Sequence, residues 1–146
     1  MKKNIALLLF LSIVLMASSV FAGQIKVFVT DFSVIGTQGK EEIKQILKTM
    51  IAARLNSDRI AVNGNALEAE IVVNGTYIVI GKIFSLDAIA RDKAGSILAR
   101  VVVQGEGQDE LIPAISSLVD KLSAELNKVS SVDRSNAQPK SIEQGK

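Results

Sequence analysis

Apolar and polar residues change period several times along this chain, and each change marks an element. Gln24 to Phe32 alternates, with Ile25, Val27 and Val29 on one side and Lys26, Phe28 and Thr30 on the other, as a strand does when successive side chains face opposite ways. Phe28 and Phe32 make the second side partly apolar, so the strand is placed near the centre of a sheet, and Ser33 to Gly39, with two glycines, reads as a loop. From Lys40 to Leu55 the spacing becomes three and four: Ile43, Ile46, Leu47, Met50, Ile51 and Leu55 form one helical stripe, and Lys40, Glu41, Lys44, Gln45 and Lys48 form the opposite face. Glu41 and Glu42 in the first turn and Arg54 in the last suit the helix dipole.

Arg59 to Val62 predicts a short strand, followed by the turn Asn63-Gly64-Asn65 and a single helical turn through Leu67 and Ala69. The chain then turns β-rich. A hairpin turn at Asn74-Gly75 would leave Ile71 to Val73 as a very short strand, so one strand is expected from Ile71 to Ile80, with a bulge or a close backbone approach at Gly75. Gly81-Lys82 makes the hairpin, with glycine at the first turn position. The return strand is Ile83 to Arg91, Asp92 to Gly95 is the next turn, and Ser96 to Gln104 is the last strand, with Ile97, Ala99, Val101 and Val103 on one face and Leu98, Arg100, Val102 and Gln104 on the other. Gly105 to Gly107 ends the sheet. A second amphipathic helix is expected from Gln108 to Asn127, with Leu111, Ile115, Leu118, Leu122 and Leu126 as its seam, Asp109 as its cap and Pro113 in its first turn. From Val129 on, polar residues dominate and a flexible tail is expected.

This order favours an α/β (α+β) domain of two layers, a mixed sheet of about five strands with both long helices on one face. The first two strands flank a helix and would be parallel if adjacent, and the last three are antiparallel neighbours.

Ahead of the domain, Lys2-Lys3, an apolar run from Ile5 to Met16 broken only by Ser12, and small residues ending in Val20-Phe21-Ala22 have the three parts of a secretory signal. The run is about a dozen residues, short of the roughly 20 that span a bilayer. Cleavage before Gly23 is expected; an uncleaved anchor continuing through Val20 and Phe21 is the rival reading. The chain therefore divides into 1–22 signal peptide, 23–128 domain and 129–146 tail, with the periplasm as the expected address and no stable membrane insertion after cleavage. Losing Lys2 and Lys3 reduces 17 basic residues to 15, against 15 acidic ones. Without a basic excess, and with one tyrosine and no tryptophan, nucleic-acid binding is not expected. With no cysteine, the core must hold the domain together without disulfides.

The absence of histidine and cysteine removes thiol nucleophiles, the usual zinc ligands and the commonest general base. Asp31, Asp87, Asp92, Asp109 and Glu110 are the acids near strand ends or helix starts. Each has a structural reading: loop entry for Asp31, an outward strand position near Arg100 for Asp87, a turn for Asp92 and a helix cap for Asp109. No glycine-rich phosphate loop is present, and Glu106, Asp109 and Glu110 would repel an anion at the second helix. No catalytic residue, metal site or cofactor is expected.

The strand Val27-x-Val29-x-Asp31-Phe32, the helix end Ala53-Arg54-Leu55, the run Ala69 to Tyr77 and the hairpins to Gly105 resemble the amino-terminal domain of TolB. The same pattern recurs in curli-secretion (CsgG-like) proteins and in domains that precede repeat-containing β-propellers. The resemblance covers about Gln24 to Lys128. It implies a mixed sheet with two helices and protein–protein contact at the cell envelope without enzymatic activity, and, because TolB uses its extreme amino terminus for binding, a role for Gly23 to Ile25. No propeller repeats or pore-forming segment follow here, so a stand-alone adaptor is the expectation. It would bind another envelope protein through an exposed sheet edge or through the half-apolar sheet face near Ile83, Ile89, Leu98 and Val102. A small-ligand or glycan-binding domain with a pocket lined by Tyr77 is the alternative, and a carboxylate hydrolase ranks last.

Overall fold

In the computed structural model, which describes residues 23–136, the alternating start of the chain forms strand β1 (Ile25–Val29). The segment read as a signal peptide, 1–22, and the end of the tail, 137–146, lie outside the described residues. After β1 come β2 (Ser33–Ile35), α1 (Lys40–Leu55), β3 (Ile60–Val62), β4 (Ile71–Ile80), β5 (Ile83–Asp92), β6 (Ile97–Glu106), a 3-10 turn (Gln108–Glu110) and α2 (Leu111–Asn136).

The strands make one mixed sheet in the order β3-β1-β4-β5-β6, with β2 alongside β4. As expected for strands that flank a helix, β1 and β3 are parallel, with Ile25 opposite Ile60; β1 is also parallel to β4, with Val27 opposite Ile71. β4, β5 and β6 form the antiparallel meander. The sixth strand, beyond the five expected, is β2, which lies in the segment read as a loop. Its Val34 is buried and sits opposite Tyr77 of β4. A three-residue Ser-Val-Ile stretch has no periodicity of its own; it is a strand because β4 supplies a partner ladder.

Both helices cover one face. Leu47, Ile51 and Leu55 of α1 and Ile115, Leu118, Leu122 and Leu126 of α2 are fully buried, in a cluster with Val27, Val73, Leu86, Ala88, Ala90 and Val101 of the sheet. The α1 stripe is narrower than predicted, for Ile46 is exposed and Ile43 and Met50 only half-buried. Arg54 joins the two helices by donating to the Ser116 hydroxyl and the Ile112 carbonyl.

The close approach expected at Gly75 is present, without a bulge. The buried ring of Phe32 lies on this glycine, and a Cβ would overlap both Phe32 and the Asp87 carbonyl across the ladder. The hairpin is the two-residue one expected: Ile80 faces Ile83, and Gly81 takes φ +63° while Lys82 stays at negative φ. In the next turn the Asp92 carboxylate accepts the Ser96 N–H at 2.8 Å.

Two boundaries differ from expectation. The second helix starts from a 3-10 turn that Gly107 precedes, without a side-chain cap from Asp109; Glu110 instead reaches back to accept the Glu106 N–H at 2.7 Å. The helix also continues to Asn136, so 129–136, expected to be flexible tail, is helical. Ser, Val, Asp, Arg and Asn each cost only tenths of a kcal/mol more than a good helix former, roughly 0.7 at most, and no glycine or proline intervenes before Pro139.

Candidate interaction surface

Among the described residues, the two helices leave the other face of the sheet uncovered. Alternation directs Phe28, Ile35, Val72, Ile78, Ile80, Ile83, Ile89 and Val102 onto it, and the strand registers set them in rows. At the hairpin end Ile35 stands beside Ile78, and Ile80 beside Ile83, with Val102 two rows away. Ile80 is 77% exposed, Ile83 59% and Val102 47%. Aliphatic side chains this open, grouped on one face, form a patch of the kind that meets another surface.

Of the four residues picked out in the sequence, Ile83 and Val102 lie in this exposed row set, and Ile89 is half-buried between Asn74 and Arg100. Leu98 does not belong there. The register of β5 and β6 slips between Ala90 and Arg91, so Ala99 faces Ala90 while Ile97 faces Arg91. Leu98 has no partner across the ladder and packs against the core, and Ile97 takes the exposed outer position. Sequence alternation through an unbroken strand selected the wrong neighbour. Ile35 and Ile80 were missed too; an isoleucine directly before the Gly81 turn was a legible signal for Ile80, whereas Ile35 joins the face only through β2.

Beside the apolar end the face is polar. The Arg100 guanidinium binds Asp87 Oδ2 through Nε at 3.1 Å and Nη2 at 2.7 Å, leaving Asp87 Oδ1 buried without a hydrogen bond. A shallow groove of about 490 Å³ runs past this pair, lined also by Thr30, Asp31, Ser33 and Thr76. Asp31 and Asp87 thus share a groove, each held by a cation from another element, for Lys48 of α1 reaches Asp31 Oδ1 at 2.8 Å. Tyr77, expected in a ligand pocket, is buried on the helix side with its ring 5.6 Å from that of Phe84, and burial pushes its phenol above the ordinary value.

The hydrogen bond from Lys48 and its charge hold the Asp31 carboxyl below the usual 3.8. A depressed carboxyl favours the folded state above the unfolded value, and that contribution fades as pH falls through the folded one. In a carboxyl-resolved NMR titration Asp31 is expected to titrate below 3.8, and Lys48→Met to move it upward. An unmoved midpoint would mean that the bond does not hold in solution.

Fold and surface together define a two-layer α+β domain with one sheet face left bare among the described residues. No family model matches the chain, and no curated protein matches it in sequence. Solved structures match it in fold. A point variant of PelC from Paraburkholderia phytofirmans, a dodecamer, is 16% identical, with the match covering 70% of this chain and 87% of that one at a TM-score of 0.52. A second PelC dodecamer from the same organism is 14% identical over 70% and 87%, at 0.51. TolB from Acinetobacter baumannii is 14% identical over 73% of this chain, at 0.50, and the match spans only 28% of TolB. At such identities the likeness is one of fold. It agrees with the TolB-like part of the sequence resemblance; the curli-secretion and propeller-associated parts rest on the sequence pattern alone. Among the described residues, no helix is long and apolar enough to cross a membrane.

Proposed function

We propose that this chain is a non-enzymatic interaction module of the cell envelope, exported to the periplasm, which binds another envelope protein through the bare sheet face at the hairpin end. The observation that carries this reading is the group Ile35, Ile80 and Ile83, exposed beside half-buried Ile78 on a face that no helix covers among the described residues. Burying such a group against a partner gains roughly 25 cal/mol per Å² of apolar surface removed from water, before the costs of association. The signal-like segment at 1–22 supports the address, and the resemblance to the TolB amino-terminal domain supports the envelope setting. PelC, similar in fold, is a dodecamer.

The test is photo-crosslinking in intact cells. A photoreactive residue at Ile80 or Ile83 is expected to give one discrete adduct with another protein, while the same residue at Gln45, exposed on α1, gives none. Equal labelling from both sides, or none from Ile80 and Ile83, would count against the reading.

A further inference from the structure

The two ends of the sheet differ. At one end β3 is three residues long; at the other, β6 runs for ten and has no strand on its outer side among the described residues. A long open edge offers main-chain donors and acceptors to any extended segment, and natural edges are usually blunted by lysine, proline or brevity. β6 contains neither lysine nor proline.

Parity tells which groups it offers. In a two-residue hairpin the residues flanking the turn bond each other, so Ile83 turns its N–H and C=O toward β4, and Phe84, Leu86 and Ala88 turn theirs toward β6. Their partners Gly105, Val103 and Val101 are thereby satisfied, and the Gly107 N–H, bonded to the Lys82 carbonyl at 2.8 Å, keeps the same parity. Arg100, Val102, Gln104 and Glu106 direct their main-chain groups outward. The Glu106 N–H does point away from the sheet, where Glu110 accepts it. Glu110 thus closes the last donor, leaving the Glu106 carbonyl and the groups of Arg100, Val102 and Gln104 open.

We propose that two copies of this chain pair their β6 strands antiparallel about a two-fold axis at Val103, joining two sheets into one. β6 is complementary to itself in that register. Arg100 of one copy stands opposite Glu106 of the other, and Val102 opposite Gln104, each twice by symmetry; of the registers that parity allows, this one sets the opposite charges face to face. The Arg100 N–H meets the Glu106 carbonyl, and the Arg100 carbonyl takes the Glu106 N–H in place of Glu110. Room for the second copy exists beside the edge, where a groove of about 570 Å³ separates Val102 and Gln104 from α2 and is floored by Pro113, Ala114 and Ser117. The pairing leaves the bare face and its isoleucines free, so it stands apart from the partner contact proposed above.

The full chain, expressed and purified with its own amino-terminal segment, tests this by sedimentation equilibrium. A dimer is expected. Glu106→Arg, which leaves the bond between Asp87 and Arg100 intact, should raise the dimer Kd at least about tenfold. The chain is free of cysteine, so a single Val103→Cys reports directly. On the axis the two Val103 positions form a non-hydrogen-bonded pair with Cα atoms about 4.5 Å apart, within reach of a disulfide. Mild oxidation should link Val103→Cys into dimers and leave Leu98→Cys unlinked. A monomer at all concentrations, or a dimer indifferent to Glu106→Arg and not linked through position 103, would overturn the proposal. Neither result touches adducts formed from Ile80 or Ile83.

Discussion

An alanine at Gly75 is expected to destabilise the protein by about 3 kcal/mol, the upper range for forcing an extra carbon into a packed interior. Gly75 keeps an ordinary negative or extended φ, so the cost is steric and not conformational. The added methyl would enter the ring of Phe32, which is buried, and the carbonyl of Asp87 in the adjacent strand. The ring can rotate away only by leaving the core. The carbonyl cannot move without spreading β4 from β5 at the middle of their ladder. Urea unfolding should show a lower midpoint with an unchanged slope, the sign of lost stability without a changed unfolded state. A double-mutant cycle separates the two clashes. Phe32→Ala alone should cost roughly 3–5 kcal/mol in lost packing. Combined with Gly75→Ala it should cost less than the sum, because the ring overlap is gone and only the Asp87 carbonyl remains. A Gly75→Ala protein as stable as the parent would show that Phe32 does not rest on this glycine.

The second large effect concerns function. Ile80→Glu together with Ile83→Lys should abolish the partner adduct in intact cells while leaving stability within about 0.5 kcal/mol. The two residues face each other beside the turn, so opposite charges there form a cross-strand pair, whereas two like charges would destabilise the hairpin and confuse the result. Both are mostly exposed, and their loss removes little core. If they are the centre of an interface, each should contribute about 2 kcal/mol or more to binding, and the pair together, about 4 kcal/mol where the two add, should weaken the complex by roughly 700-fold. The comparison is a quantitative binding isotherm with the captured partner, with the unfolding midpoint measured in parallel. Undiminished binding by a folded double variant would move the contact off the hairpin end.

How much of this surface was legible in the chain depends on how local its cause is. The strands Ile71 to Ile80 and Ile83 to Arg91 were readable to the residue or nearly so, because β-branched runs and a glycine turn specify them without outside help. The bounds of α1 were readable in full, since its spacing of threes and fours and its charged ends agree, though its buried stripe is narrower than that spacing. Ile83 and Val102 followed from alternation on β5 and β6. Leu98 did not, because a slip against β5 is a property of two strands and not of one. The extension of α2 past Asn127 was equally hidden: the residues there neither demand a helix nor stop one, and the turn already formed upstream carries them on.

The sequence alone therefore determined the class of fold, the strand-helix order and the lack of histidine and cysteine chemistry, because periodicity and composition are written residue by residue. Only the tertiary structure decided that Ser33 to Ile35 becomes a strand beside β4, that Phe32 closes over Gly75, and that Ile97 displaces Leu98 on the open face. The first two are relations between segments far apart in the chain and the third is a slip between two neighbouring strands; all are settled by which ladder and which ring meet, and the pattern of a single segment does not carry that information.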